Sequence, residues 1–242
     1  LIVTYVTRDY GLLKAFAKSP RKIKSRFGSS LEPLTYSKIA LMGKEDASLP
    51  RLTQSDIVRP FHTLREDFKC FLNFSEIIEL SLRFLPEREH DPEVFNLLLG
   101  ILNLAEAGKC SDVYTLYYKI RFLSMMGYEP HLDACCKCGR RLESRGLDKN
   151  VKWDFYAAHG ALVCVSCLPD IAGAEKISDG ALKFYRSLIG WPMLYVGRIQ
   201  PPLYLTEELN AVINAHISYI LGVCKTSIAE KFHPAVAATV LT

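Results

Sequence analysis

The first 58 residues alternate between apolar and polar positions in short runs that turn-forming residues separate, which is the pattern of β-strands. The sequence does not begin with Met and opens inside the first of these runs, so we expect a further strand to precede it. Five short strands in a unit of this size are typical of an OB-fold barrel. Runs rich in β-favouring residues predict four strands, at Leu1–Thr7, Leu12–Ala17, Leu34–Met42 and Leu49–Val58.

From Pro60 onward the apolar positions recur at helical spacing. One stripe covers 64–85, and the next helix has Asp91 as its N-cap and Pro92 at its first position. The pattern as a whole predicts an α+β protein with an OB-fold domain at 1–58 and a helical domain at 59–242. Further helices are expected at about 111–127, 178–188 and 206–221.

Four of the eight cysteines form two C-x2-C pairs that 25 residues separate, namely Cys135, Cys138, Cys164 and Cys167. Two thiolates at this spacing can face one ion across a tight turn, and four of them complete a closed tetrahedral shell around zinc. A closed shell has no position for a reactive water, so we predict one structural zinc ion per chain. The site predicts a zinc ribbon at about 131–170.

Two details of the metal site stay open at this stage. Cys136 lies beside Cys135 and could be taken for a ligand, but only Cys135 has the two-residue spacing to Cys138. His131 and His159 could substitute for a cysteine, although a single histidine near a turn is more often exposed. The residues on either side of His159 predict a hairpin that carries the second cysteine pair.

The remaining cysteines fit no ligand spacing, and Cys70 lies on an apolar helical face, as a small core residue would. Eight cysteines without a visible signal peptide favour reduced thiols and a cytoplasmic location. The longest apolar stretch contains two asparagines and is shorter than a membrane span requires.

Positive charge is concentrated near the start of the chain. The net charge is +4, but residues 8–26 alone carry +6, so the rest sums to −2. Such a surplus suggests an anionic partner, although for an average cluster of this kind a solvated loop is the commoner explanation. The cations are Arg8, Lys14, Lys18, Arg21, Lys22, Lys24 and Arg26.

Aromatic residues interleave with these cations, and OB folds bind single strands by pairing cations with phosphates and stacking bases on aromatic rings. Tyr5 and Phe16 could equally belong to a barrel core, and for Phe16 the alternation favours the core. Tyr10 and Phe27 lie next to turns and are the better candidates for stacking. Tyr10, Phe27 and the seven cations are therefore candidate residues for binding a single-stranded nucleic acid.

No phosphate-binding, dinucleotide-binding, zinc-protease or nucleophile-elbow motif occurs in the sequence. The acidic groups at 87–91 and 207–208 lie at predicted helix boundaries, where carboxylates cap helices and complement their dipoles. The sequence therefore gives no positive reason to predict an enzyme.

Several short motifs, in order along the chain, resemble the bacterial RecO family of recombination mediators. They cover nearly the whole sequence, and their order is more specific than any one of them. The motifs are Thr7-Arg8-Asp9-Tyr10-Gly11, Lys18-Ser19-Pro20-Arg21, Ser25-Arg26-Phe27, Leu31-Glu32-Pro33, Met125-Met126-Gly127-Tyr128-Glu129-Pro130, Cys135 with Cys138-Gly139, Gly160 with Cys164 and Cys167, and Lys225-Thr226-Ser227.

The resemblance implies an OB domain followed by a helical domain with a zinc ribbon, and a role without catalysis. It implies binding of single- and double-stranded DNA, strand annealing, and loading of RecA together with RecR and single-strand-binding protein. The acidic, apolar-ended tail of the latter would need an apolar groove with a basic rim, which we expect in the helical domain. One departure is Ser19-Pro20, where the family usually has glycine.

Two other functions remain open from the sequence. A zinc-ribbon adaptor would bind protein and have no affinity for nucleic acid. A hydrolase would need Glu87, Glu89 and Asp91 to converge in a cleft.

Overall fold

The computed structural model describes residues 1–18, 27–44, 47–108, 110–141, 152–167, 174–222 and 239–241. The chain is a mixed α+β protein, as the sequence predicts. Its strands are β1 Ile2–Thr7, β2 Gly11–Phe16, β3 Thr35–Met42, β4 Arg51–Arg59, β5 His131–Cys135, β6 Lys152–Tyr156, β7 Ala161–Val163, β8 Glu175–Ser178 and β9 Thr239–Leu241. Its helices are α1 His62–Glu66, α2 Phe68–Phe84, α3 Pro92–Ala107, α4 Asp112–Met125, α5 Asp179–Gly190, α6 Met193–Val196 and α7 Leu203–Ile220.

The chain divides into two compact units. The first comprises Leu1–Tyr118 with Pro234–Thr242, and the second comprises Lys119–His233. The first unit thus includes the strands of the predicted OB domain together with the helices that follow them. The boundary that we predicted at residue 58 stays a prediction.

Five strands of the first unit close into a barrel in the order β1, β2, β4, β3, β9. The pairs β1–β2 and β3–β4 are antiparallel, whereas β9 runs parallel to both β1 and β3. The fifth strand of this barrel is β9, late in the chain, and the strand that we expected ahead of Leu1 stays a prediction. Because the barrel is closed, each of its strands has a partner on both sides. The assignment of this barrel as an OB fold stays a prediction.

Phe16 and Phe27 have the opposite exposure from the one that the sequence predicts, by alternation for Phe16 and by its place next to a turn for Phe27. Phe16 is 41% exposed, because Ala15 and Ala17 occupy the inward positions of this stretch. Phe27 is 3% exposed and packs in the barrel core with Tyr5, since two alanines leave room there for a larger ring. Its carbonyl accepts from the Ser30 N–H at 3.0 Å, in a short 3₁₀ turn that directs the chain into the core.

Two helices of the first unit, α2 and α3, begin at aspartate caps. The stripe at 64–85 is two helices, because the Asp67 carboxylate accepts from the Cys70 N–H at 2.9 Å and starts α2 afresh. Asp91 caps α3 through the Val94 N–H at 3.1 Å, which confirms the predicted start. Our expectation of reduced thiols is wrong for one pair, since Cys70 forms a disulfide with Cys110.

The second unit contains a four-stranded sheet in the order β5, β7, β6, β8. β6 and β7 form the predicted antiparallel hairpin, with Asp154 opposite Val163 and Tyr156 opposite Ala161. The sequence pattern missed β5 and β8, which are short and polar. After β8 the Ser178 hydroxyl accepts from the Ala181 N–H at 3.2 Å and starts α5.

In the portion of the chain that the structure describes, every helix is too short or too polar to cross a lipid bilayer.

Candidate metal centre and nucleic-acid interface

The thiols of Cys135, Cys138, Cys164 and Cys167 converge, and their sulfur atoms all lie within 4.8 Å of one another. The Sγ atoms of Cys138 and Cys164 are 3.6 Å apart. A tetrahedral shell with bonds of about 2.3 Å places its sulfurs roughly 3.8 Å apart. The cluster therefore has the dimensions to hold one metal ion.

Two tight turns present these thiols. Cys135 ends β5, and Gly139 at φ +70° turns the chain so that its N–H donates to the Cys135 carbonyl at 2.9 Å. The Cys135 N–H in turn donates to the Arg140 carbonyl at 2.9 Å. On the other side, Cys164 follows β7 directly, and its carbonyl accepts from the Cys167 N–H at 2.9 Å. Local backbone geometry thus directs each pair of thiols toward one point.

The electrostatics of the four thiols fit a cation. Burial opposes ionisation of Cys135, but backbone N–H groups, foremost that of Cys164 at 3.4 Å, outweigh it and lower the pKa to about 6. Hydrogen bonding to Cys138 and Cys164, with burial, raises the pKa of Cys167 to about 12. Two negative charges this close repel one another, so the charge on Cys135 also contributes to the raised pKa of Cys167.

The neighbouring alternatives lie outside the cluster. Cys136 is exposed, and its thiol is not among those that converge, although its backbone N–H donates to the Leu162 carbonyl at 2.9 Å. His131 and His159 are both exposed and are not among the residues that converge. The geometry favours Cys135 over Cys136, as the spacing did.

A second candidate site is a groove in the barrel unit with a cavity of about 650 Å³. The β1–β2 turn forms one wall, and the end of β3 with the loop after it forms another. Its apolar lining includes Leu13, Ile39 and Leu41, which pack against the barrel core. Its polar rim has four cations and one carboxylate, namely Arg8, Lys38, Lys44, Arg88 and Asp9. The groove therefore combines an apolar floor with a positive rim.

The structure places the predicted DNA-binding residues in different surroundings. Arg8 and Tyr10 line the groove, and the Tyr10 side chain is 66% exposed. Lys14 forms an ion pair with Glu87, and Lys18 is exposed just after β2. Four further predicted cations lie outside the described residues: Arg21, Lys22, Lys24 and Arg26.

Phe27 is the one predicted stacking residue that the structure contradicts. Its ring is buried in the barrel core, so neither face is available to a base.

Sequence reasoning missed three cations of the groove. Lys38 could have been found, because it is a solvent-facing position beside apolar Ile39 on a predicted strand. Lys44 lies in a polar stretch that we treated only as a connection. Arg88 carries no sequence signal, since it is separated by dozens of residues from the strands whose groove it lines.

Two of the three carboxylates that the hydrolase hypothesis needs have structural partners in place of a shared cleft. Glu87 pairs with Lys14, and Asp91 caps α3. In the second unit, Glu208 accepts from the Ser178 N–H at 3.1 Å, beside the start of α5.

The fold and the two sites define an α+β protein that has a basic groove on a strand barrel and a four-cysteine cluster. Two family descriptions match the chain: "Recombination protein O N terminal" over residues 1–61 and "Recombination protein O C terminal" over residues 65–227. The chain belongs to the RecO family of DNA repair proteins.

Individual relatives agree with the family match. A protein of Thermodesulfovibrio yellowstonii named DNA repair protein RecO is 40% identical over 236 residues, which cover 96% of this chain and 90% of that protein. Proteins of the same name from Syntrophus aciditrophicus and Desulfatibacillum aliphaticivorans are 33% and 30% identical, over 92% of this chain in each case and over 85% and 86% of those proteins.

Proposed function

We propose that this chain is a non-catalytic recombination mediator that binds single- and double-stranded DNA and anneals complementary strands. With RecR and single-strand-binding protein as partners, it loads RecA onto single strands. The observation that carries the proposal is the groove with a basic rim in a member of a DNA repair family.

The contents of the groove support DNA as the ligand. Arg8, Lys38, Lys44 and Arg88 offer charges for phosphates, and the exposed ring of Tyr10 offers a face for a base. Contacts of this kind neutralise phosphates and carry little sequence preference. The basic segment that includes Arg21, Lys22 and Lys24 follows β2 in the sequence and adds further positive charge to this part of the chain.

The test of DNA binding is salt dependence. Neutralising Arg21, Lys22 and Lys24 together should weaken binding to a single-stranded oligonucleotide and flatten the slope of log affinity against log salt, because fewer counterions are released. A matched control neutralises Lys69, Arg83 and Lys183, which are exposed and form ion pairs on helices outside the groove. An unchanged slope in the first variant would refute the assignment of these cations.

Annealing of complementary oligonucleotides, with and without single-strand-binding protein, tests the mediator role itself. The proposed function requires faster annealing with the protein, including on strands that single-strand-binding protein coats. Absence of any acceleration by a folded protein would reject it.

A zinc-ribbon adaptor that binds only protein is the competing function. Retention on heparin or single-stranded DNA at moderate salt supports the mediator, whereas flow-through of the folded protein supports the adaptor.

We propose zinc as the metal of the four-cysteine cluster and assign it a structural role. Four thiolates match the preference of zinc, and a closed shell activates no water. The cluster joins the end of β5 to the β6–β7 hairpin, so the ion would fasten a sheet whose strands are short.

The acidic tail of single-strand-binding protein is proposed to meet the second unit near α6. Leu194 and Tyr195 in α6, and Leu203 and Tyr204 at the start of α7, are each more than half exposed, and exposed apolar side chains are what an apolar-ended tail would need. The Arg198 guanidinium lies 5.8 Å from the Tyr195 ring centre and would pair with a carboxylate. Replacing Leu194 or Leu203 with Asp should abolish capture of a peptide of that tail, and unchanged capture would exclude this surface.

A further inference from the structure

The connector between α2 and α3, residues Glu87 to Glu89, lies along the edge of the barrel groove. The Arg88 N–H donates to the Leu12 carbonyl at 3.0 Å, and the backbone of Glu87 forms isolated β-bridges with Gly11 and Leu12. The fit is close, because a Cβ on Gly11 would stand 2.0 Å from the Glu89 carbonyl oxygen. The connector is thus docked on β2 by backbone contacts.

The backbone of Arg88 has a conformation that few residues adopt. Its φ is +65°, in the left-handed region that disfavours any residue with a side chain other than Asn or Asp. A non-glycine residue remains there only where the surrounding structure dictates the conformation, and such residues cluster at functional sites. Docking of both neighbours on β2 supplies that constraint and fixes the direction of the side chain.

The Arg88 side chain reaches over the groove. Its guanidinium donates to the Ala47 carbonyl, in the loop between β3 and β4, and it lines the cavity with Tyr10, Lys38 and Lys44. A guanidinium has five N–H donors in a planar fork, so one carbonyl leaves donors for a phosphate. Arg88 is also exposed to solvent, so a ligand can reach it.

We propose that Arg88 is a phosphate-binding residue and that the connector is a built part of the nucleic-acid groove. The occupant is the backbone of a single strand, one base of which lies over the apolar floor beside Tyr10. A cavity of about 650 Å³ has the size of a small-ligand site and admits an unstacked nucleotide rather than a duplex. This inference rests on the proposed function.

The competing role for Arg88 is purely structural, as a clamp on the Ala47 loop. Arg88→Gly and Arg88→Asn separate the two roles, because both residues tolerate a positive φ and should leave the melting temperature unchanged or higher. Affinity for a single-stranded oligonucleotide should fall about 3- to 10-fold at low salt, with the log–log salt slope reduced by about 1. Arg88→Lys should restore the slope.

Arg83→Gln is the matched control. It removes the same charge from an exposed side chain on α2 that does not line the groove, so its salt slope should equal that of the unaltered protein. A slope in Arg88→Gly equal to the unaltered protein, or an equal loss in Arg83→Gln, would overturn the proposal. Weaker binding with an unchanged slope would assign Arg88 to the clamp and also overturn it.

A duplex of the same length distinguishes this inference from the function on which it rests. Arg88→Gly should weaken single-strand binding at least 3-fold more than duplex binding, and equal losses would refute the single-strand pocket. If the unaltered protein binds neither DNA, the proposed function itself fails. If the unaltered protein binds DNA and Arg88→Gly binds it with the same affinity and salt slope, only the inference about Arg88 fails.

Discussion

The ring of His216 packs against the backbone of Gly160, and its Cε1 atom lies 2.7 Å from the point that a Cβ at residue 160 would occupy. The Nε2 of the same ring donates to the Tyr128 carbonyl at 2.9 Å. Gly160 has φ +57° and lies between β6 and β7, the hairpin that leads to Cys164. One histidine of α7 therefore fixes both the hairpin and the residues that follow α4.

Replacing Gly160 with Ala should destabilise the second unit. The new methyl group meets the His216 ring and the backbone stays at a positive φ, so we expect a loss of roughly 2–4 kcal/mol in the free energy of unfolding. Gly127→Ala is the control, since Gly127 has φ +76° but nothing within 4 Å of its Cβ position. Denaturant titrations should show a clearly smaller loss there, and equal losses would contradict the steric argument.

The stability of the second unit should decrease in mild acid because of His216. Burial lowers the pKa of this imidazole, and the nearby His131 lowers it further, so the folded state favours the neutral ring. The unfolded chain, with an ordinary pKa near 6.5, binds the proton more readily. Stability from this group is therefore complete above about pH 7 and is lost as pH falls below the unfolded pKa.

The variant His216→Gln checks that assignment. Glutamine retains an N–H donor for the Tyr128 carbonyl but does not titrate, so its unfolding free energy should change less between pH 7.5 and 5. If both proteins lose stability in parallel over that range, another group causes the loss.

Removal of the metal should loosen the second unit. On the proposal above, the purified protein holds about one zinc per chain, and chelation or Cys164→Ser should lower its melting temperature because the ion links two otherwise short β-segments. Cys136→Ser is the internal control, since that exposed thiol is outside the cluster. Metal content well below one per chain, or melting that chelation leaves unchanged, would reject the site.

The variant Glu87→Gln tests whether Lys14 would contact DNA itself or would support binding by positioning the connector. The two roles predict changes of opposite sign in the affinity for single strands. Removing a negative charge near the proposed DNA groove should by electrostatics alone strengthen binding. If the Lys14–Glu87 pair positions the connector, the variant should instead bind single strands about 2-fold more weakly, and this weakening should vanish when Arg88 is already Gly. Tighter binding by Glu87→Gln alone would show that Lys14 is a free phosphate contact.

Features that depend on local sequence were predictable. The C-x2-C spacing and the turn at Gly139 determine the two cysteine turns, and the residues around His159 and Gly160 determine the hairpin between them. Asp91 and Pro92 define the start of α3 because capping involves only a few neighbouring residues.

Features that depend on distant residues were not predictable in this way. The alternation around Phe16 gave the wrong face because two alanines at the inward positions left a volume that Phe27 fills from the next segment. Arg88 lines the groove only because Gly11 permits the connector to approach β2, and no pattern near Arg88 indicates this. The disulfide between Cys70 and Cys110 likewise joins α2 to the start of α4, outside any spacing motif.

The pairing of β9 with β1 has a consequence for the order of events during synthesis. Tyr5 and Val240 are neighbours in the barrel but lie almost a whole chain length apart. Contacts of such high sequence separation form late, because closing the long loop between them costs entropy before the pairing stabilises anything. The ribosome releases Val240 long after β1 to β4 and the cysteine hairpin. Until then β1 and β3 each have one edge without a partner strand, because β9 is the strand that pairs with both. A chaperone or a neighbouring chain would meet these edges before β9 does.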